Sequence, residues 1–321
     1  MTHAIVAKQP GGPEVLDFAE VERPVPGPGQ LLVKVAATGV NFIDTYQRNG
    51  TYKVPFPFVP GSEASGTVEE IGEAVTTVAV GDRVATAEGS KCYAGYTVLD
   101  ASKALPVPDG VDDLTAAALP LQGMTAHYLI NSSFRVEPGH TALTHAGAGG
   151  VGLLLIQLLK AKGARVITTV STDEKEALAR EAGADHVLRY HGFPHHVREL
   201  TDGTGVHVVY DGVGRDTFDG SLSCLRTRGS LVLFGAASGP VPPFDPQRLN
   251  AGGSLTLTRP SLGHFLLNEQ ERRWRASEIF AAAASGDLNV RIGATYPLAE
   301  ARRAHEDLEG RRTTGKVLLV P

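Results

Sequence analysis

The residues best suited to chemistry in this chain are His145-Ala-Gly-Ala-Gly-Gly-Val-Gly152, where Gly147, Gly149 and Gly152 fall on a G-x-G-x-x-G spacing. Thr141-Ala-Leu-Thr144 before them reads as a short buried strand. Val151 to Lys160 after them reads as a helix apolar almost all round. In that setting each glycine has a task. The first makes a tight turn, the second lets backbone approach a pyrophosphate, and the third brings helix against strand. Gly150 and Val151 complete the loop, and the helix N-terminus offers N–H groups and partial positive charge to phosphate. The chemistry implied is the holding of a dinucleotide.

The surrounding elements must position that loop. From Thr141 to about Thr258 the pattern predicts strands at Arg165–Val170, His186–Arg189, Val206–Asp211, Ser230–Gly235 and Ser254–Thr258. It predicts helices at Gly150–Lys162, Asp173–Glu181, His195–Leu200 and Arg215–Leu225. Short apolar cores alternating in this way make a parallel, doubly wound sheet with its ligand crevice at the carboxyl ends of the strands. Residues 1 to about 120 are rich in Gly and Pro, with β-like runs at Leu31–Ala37, Ser65–Ile71 and Arg83–Ala87, and read as a mostly β domain. A helical stretch with Trp274 and a final strand through Lys316–Val320 close the chain. The last segment is expected to rejoin the first domain.

Bulk composition narrows the class. The chain is 42% hydrophobic and 20% charged with a net charge of -5, a globular profile that suits two domains. The acidic balance gives no electrostatic case for nucleic acid or an anionic membrane. The N-terminus has no signal-peptide core and no apolar run is long enough to span a bilayer, so a cytoplasmic location is expected. Cys92 and Cys224 read as unpaired thiols in a reducing compartment.

Further motifs run in order along nearly the whole chain: Gly11-Gly-Pro-Glu-Val-Leu16, Gly39-Val-Asn-Phe-Ile-Asp-Thr-Tyr46, Pro60-Gly-Ser-Glu-Ala-Ser-Gly66, Gly81-Asp-Arg-Val84, Ala146–Gly152, Val209–Asp216 and Thr258–Leu262. With these the chain resembles the zinc-independent quinone oxidoreductases (zeta-crystallin-like) of the medium-chain dehydrogenase/reductase superfamily. The resemblance implies an α/β protein: a GroES-like, mostly β catalytic domain from residues 1–122 and 263–321, a Rossmann NADPH-binding domain at 123–262, and a homodimer. Zinc-dependent relatives carry cysteine where Asn41 stands and histidine where Ser62 stands, so no metal is expected. His191, His195 and His196, in a Gly/Pro-broken turn, read as solvated surface histidines.

The resemblance also directs attention to side chains. The second strand of the nucleotide domain ends at Ser171 rather than an acidic residue, and Lys175 follows one turn into a helix. A hydroxyl and an ammonium suit the 2′-phosphate of NADPH. The other reading of Lys175 is a solvated charge paired with Asp173 or Glu174. Tyr190 and Arg311 match residues near the adenine and 2′-phosphate. Thr125 and Tyr128 match residues along the cofactor, and Gly235, Ala237 and Ser238 leave the fifth strand where backbone would line the nicotinamide.

In Asn41-Phe-Ile-Asp-Thr-Tyr46 the segment Phe42, Ile43, Asp44, Thr45 and Tyr46 is expected to touch cofactor. Asn41 and Tyr46 are candidate donors to a substrate oxygen, with Phe42 as an apolar wall, Asp44 as an orienting group and Tyr52 as a second phenol. Tyr46 has an alternative role as a plug of the domain interface. The expected activity is NADPH-dependent reduction of a quinone. The alternatives are reduction of an alkenal, enone or enoyl-thioester double bond, and, in another class, a structural or RNA-associated NADPH-binding protein.

Overall fold

The computed structural model describes the whole chain, Met1–Pro321. It divides into two compact units, one formed by Met1–Met124 with Leu266–Pro321 and the other by Thr125–Phe265.

The Thr125–Phe265 unit is built on a six-stranded sheet. Its strands, in chain order, are Thr141–Thr144, Arg165–Val170, His186–Arg189, Val206–Asp211, Leu225–Leu233 and Thr256–Thr258. Their spatial order is third, second, first, fourth, fifth, sixth, and every pairing is parallel. Strand order reverses between Thr141–Thr144 and Val206–Asp211, the place where such sheets bind nucleotides. The strands are continuous apolar runs because helices cover the sheet. Leu143, Ile167, Val209 and Leu231 are fully buried and pack with Phe193, Val197, Phe218 and Leu222 from two helices. Helix Gly150–Ala161 buries Gly152 through Ile156, which explains its nearly uniform apolarity.

Several element boundaries differ from the sequence pattern for identifiable reasons. The helix expected at Arg215–Leu225 is only Phe218–Ser223, and the fifth strand starts early, at Leu225. The backbone N–H groups of Val213 and Gly214 donate to the Asp211 carboxylate (both 2.9 Å), which holds the intervening residues as a turn. The last strand is shortened to Thr256–Thr258 because Gly253 and Ser254 have positive φ (109° and 56°). His195 and His196 lie on helix Phe193–Leu200 and not in a turn. Gly192 caps that helix at φ 72°, and Pro194 sits in its first turn, where proline starts a helix and does not break one.

The other unit centres on a sheet with spatial order Ile292–Pro297, Lys316–Val320, Gln30–Val40, Ala64–Ile71, Arg83–Thr86, Leu105–Pro106, with Tyr96–Asp100 also paired to Gln30–Val40. The C-terminal strand runs antiparallel to Gln30–Val40 with Val317 opposite Val40 and Leu318 opposite Gly39. That pairing holds residues 266–321 in the same unit as the N-terminal segment, and it fixes which side chains meet beside Asn41. No helix is long and apolar enough to cross a membrane.

Candidate active site

The glycine loop lies at the carboxyl end of the first strand of its sheet. Gly147 N donates to Thr169 O (3.0 Å), which lays the loop across the end of the second strand. A Cβ at Gly147 would overlap Thr168 Oγ1, and one at Gly152 would overlap the Ala146 carbonyl oxygen; only glycine lets strand, loop and helix approach so closely. Gly149 differs, because a Cβ there meets only Ala146 O, at 3.2 Å. Gly149 is the N-cap of helix Gly150–Ala161, and no side chain caps it. The first-turn N–H groups are thus left for a ligand. These residues fit a dinucleotide's pyrophosphate.

Ser171 is exposed just past the second strand, and the half-buried Lys175 lies in the first turn of helix Asp173–Glu181. Thr172 caps that turn, its hydroxyl accepting from Lys175 N (3.2 Å). Asp173 pairs with Arg189, which also bonds Glu176 (2.9 Å), so both carboxylates on this turn have guanidinium partners. Tyr190 is half-buried, its ring 6.2 Å from that of His145. The Tyr128 ring is buried and stacked on Phe265 at 4.4 Å, and Thr125 is buried in the same unit. Gly235 and Ala237 are half-buried at the end of the fifth strand. The Ser238 hydroxyl donates to Val213 O (2.8 Å) and accepts from Asp216 N (3.0 Å), so it fastens a loop.

In the other unit, Asn41 caps the short helix Phe42–Arg48. Register sets its surroundings: with Val317 opposite Val40, Lys316 falls beside Asn41, and glycine at 39 leaves room for Glu63 to meet Lys316. Lys316 Nζ donates to Glu63 Oε2 and to Asn41 Oδ1 (2.8 Å). Asn41 Nδ2 donates to Glu63 Oε2 (2.8 Å) and Gly39 O (3.3 Å), and Leu121 N donates to Glu63 Oε1 (2.7 Å). Lys316 and Glu63 are both essentially inaccessible. Both amide hydrogens of Asn41 are therefore committed within the protein. Thr45 is also buried, its hydroxyl donating to Phe42 O (2.8 Å). Phe42 and Ile43 remain half-buried. Tyr46 lies 6.2 Å from the Phe42 ring and packs edge-on to the exposed Tyr52 at 5.4 Å, making an aromatic patch. Arg311 is exposed at φ 57°.

Asp44 begins a buried chain whose direction is fixed. Arg48 can only donate, so His305 Nδ1 accepts from Arg48 Nη1 (2.9 Å) and Nε2 carries the proton. That proton faces Tyr93 Oη (3.1 Å), and the Tyr93 hydroxyl donates to Asp44 Oδ2 (3.0 Å). Asn41 N donates to the same oxygen (2.9 Å), while Asp44 Oδ1 is buried without a partner. Burial lifts the Asp44 carboxyl to about 7, against the opposing hydrogen bonds from Asn41 and Tyr93 and the pull of Lys316; Glu63 adds to the rise. Burial, with help from Arg48, pushes the His305 imidazole down to about 3.

The two shifts act on stability with opposite signs. The Asp44 contribution is full below 3.8, its ordinary value, and is lost as pH rises through about 7. The His305 contribution is full above 6.5 and is lost as pH falls through about 3. Asp44→Asn removes only the first. The thermal midpoint of the variant minus that of the parent is expected to climb by several degrees from pH 5 to pH 8, as read by scanning fluorimetry. A difference that falls over this range contradicts the assignment.

The comparisons with known proteins can be set against this geometry. Residues 27–134 match the alcohol dehydrogenase GroES-like domain, and residues 150–281 match the zinc-binding dehydrogenase family model. A quinone oxidoreductase of Pseudomonas aeruginosa is 45% identical over 97% of both chains. The chain belongs to the quinone oxidoreductases of the medium-chain dehydrogenase/reductase superfamily. Within that family setting, a mycobacterial protein solved in complex with NADPH superposes with a TM-score of 0.98 at 54% identity, covering 100% of both chains. A 2-haloacrylate reductase of a Burkholderia species is 41% identical over 100% of this chain and 99% of its own.

The second family model is named for zinc, but the residues here do not fit that ion. A catalytic zinc site needs about three protein ligands, commonly Cys or His. Around Asn41 stand an amide and one carboxylate, and the carboxylate is already bonded by the Lys316 ammonium. On the surface, His195 and His196 both direct Nδ1 at Glu199 (3.3 and 3.1 Å), and all three are exposed. Hydrogen bonding to that carboxylate accounts for their grouping.

The residues missed by sequence reasoning are Glu63, Tyr93, His305 and Lys316 in one unit, and Thr169, Asp211 and Ser221 in the other. A lysine opening the apolar run Val317–Val320 was the one local signal.

Proposed function

We propose that this protein is an NADPH-dependent quinone reductase that works without a metal. The observation that carries the reading is the glycine loop, seated at the strand-order reversal of a parallel sheet with an uncapped helix N-terminus behind it. The mycobacterial NADPH complex and the quinone oxidoreductase relative support it.

Gly147, Gly149, Gly150, Val151 and Gly152 take the pyrophosphate through backbone N–H groups. Ser171, Lys175, Tyr190 and Arg311 take the 2′-phosphate and adenine. Thr125, Tyr128, Gly235, Ala237, Ser238 and the segment Phe42–Tyr46 line the nicotinamide; Asp44, Thr45 and Ser238 do so through backbone, since their side chains are spent internally. Bound NADPH supplies the hydride. With no metal to polarise the acceptor, the rate comes from holding an already electrophilic carbonyl compound in place and from donors to the oxygen that gains charge. Tyr46 and Tyr52 are those donors, on the patch that Phe42 extends. Asn41 acts indirectly, by ordering Glu63 and Lys316. A homodimer and a cytoplasmic location complete the reading; the first rests on the family and the second on two buried thiols left unpaired.

The test is NADPH oxidation with 1,4-benzoquinone in the presence of EDTA. Turnover unaffected by the chelator is expected, and inactivity with every benzoquinone and naphthoquinone tried contradicts the proposal. The Burkholderia relative puts a 2-haloacrylate in the same panel. Faster reduction of that acceptor, or of an alkenal, than of any quinone would favour the double-bond reading.

A further inference from the structure

Beside the glycine loop, four buried side chains make one hydrogen-bonded chain across the carboxyl ends of three strands. Asp211 is fully buried. Its Oδ1 accepts from Val213 N, Gly214 N and the Thr217 hydroxyl (all 2.9 Å), and its Oδ2 accepts from the hydroxyls of Thr217 and Ser221 (both 2.8 Å). Ser221 has spent its proton on Asp211, so it accepts from His145 Nε2 (2.9 Å). His145 Nδ1 is then the acceptor, and the Thr169 hydroxyl donates to it (2.8 Å). Burial holds the imidazole below its ordinary pKa and therefore neutral, against the opposing pull of Asp211.

His145 is the member that joins separate parts of the nucleotide site. Its backbone N donates to Tyr210 O (3.2 Å) on the fourth strand, and its ring reaches Thr169 on the second. Thr169 O also receives Gly147 N, and Thr169 stands two residues before Ser171. The imidazole lies nearly parallel to Tyr190 (23°) and meets Phe193 edge-on at 4.9 Å. The glycine loop, the end of the second strand and Tyr190 are thus braced on one ring.

We propose that His145 is a positioning residue for the cofactor: with Ser221 and Asp211 behind it, it fixes the spacing between the pyrophosphate loop and the 2′-phosphate pocket. The ring itself has no contact with the reacting atoms. This inference rests on the NADPH reading above. It assigns affinity, and selectivity for the 2′-phosphate, to a buried chain that touches neither phosphate.

The experiment compares the wild type with His145→Ala, His145→Gln and Ser221→Ala, measuring Kd for NADPH and NADH by fluorescence titration and kcat with 1,4-benzoquinone. Gln keeps a donor for Ser221, whereas Ser221→Ala breaks the chain from its other end with a smaller change of volume. His145→Ala and Ser221→Ala are expected to weaken NADPH about tenfold, the scale of one or two lost buried hydrogen bonds. NADH should weaken less, kcat at saturating NADPH should stay within about twofold, and Gln should recover most of the loss. Should His145→Ala fail to fold, Ser221→Ala decides. NADPH affinity unchanged in Ser221→Ala, or a loss falling on kcat and not on Kd, overturns the inference. A wild type that does not bind NADPH overturns the underlying reading instead, so the two failures are told apart.

Discussion

Gly152→Ala is expected to lower affinity for NADPH about 100-fold and to cost about 1–3 kcal/mol of stability, the usual penalty for overpacking. The added methyl would overlap the Ala146 carbonyl oxygen and lie 3.0 Å from Ala146 C and Gly147 Cα. All three obstacles are backbone, so no rotamer change relieves them. The helix cannot recede, because Leu153, Leu154, Leu155 and Ile156 are locked in the core. The loop must move, and its N–H groups then point away from the phosphates. Gly149→Ala makes the contrast: its methyl meets only Ala146 O at 3.2 Å, so it should weaken NADPH with little change in unfolding. Fluorescence titration and a urea melt on both variants check this. NADPH affinity retained by Gly152→Ala contradicts the assigned role of the loop.

Lys316→Met is expected to destabilise the protein by about 3–5 kcal/mol, the cost of leaving one partner of a buried ion pair uncompensated. Glu63 would keep its bonds from Leu121 N and Asn41 Nδ2 but lose the only cation bonded to it in a fully buried setting. The Asn41 carbonyl oxygen would lose the ammonium as well, freeing the residue that caps helix Phe42–Arg48. The double variant Glu63→Gln with Lys316→Met removes both charges and should recover much of the loss. Thermal unfolding decides the matter, with a fall of roughly 10 °C expected for the single variant. A single variant as stable as the parent would show that the pair is not the support proposed for the Asn41–Tyr46 segment.

How much of this was legible beforehand follows the range of the interactions. Parallel strands covered by helices read as short apolar runs, so Arg165–Val170, His186–Arg189 and Val206–Asp211 have the same bounds in sequence and structure. The errors fall where a side chain or a backbone angle overrides local pattern. Asp211 gathers the N–H groups of the next turn and trims the helix expected at Arg215, and Gly192 with Pro194 starts a helix where a break was expected. The glycine loop was readable because its chemistry is local and each glycine answers to a near neighbour.

The buried polar chains were not readable, because their partners are remote. Lys316 meets Glu63 across 253 positions and Asn41 across 275, and His305 meets Tyr93 across 212. Only strand register brings these residues together. For the same reason Asn41 read as a free amide donor, although its hydrogens are already taken.

The central claim is that the pocket past the second strand receives a 2′-phosphate, and one measurement addresses it most directly: titration of the purified protein with NADPH and, in parallel, with NADH. The Ser171 hydroxyl and the Lys175 ammonium should make NADPH the tighter ligand by about tenfold or more, the scale of charge-assisted hydrogen bonds to phosphate. NADH binding as tightly as NADPH, or more tightly, would contradict the account.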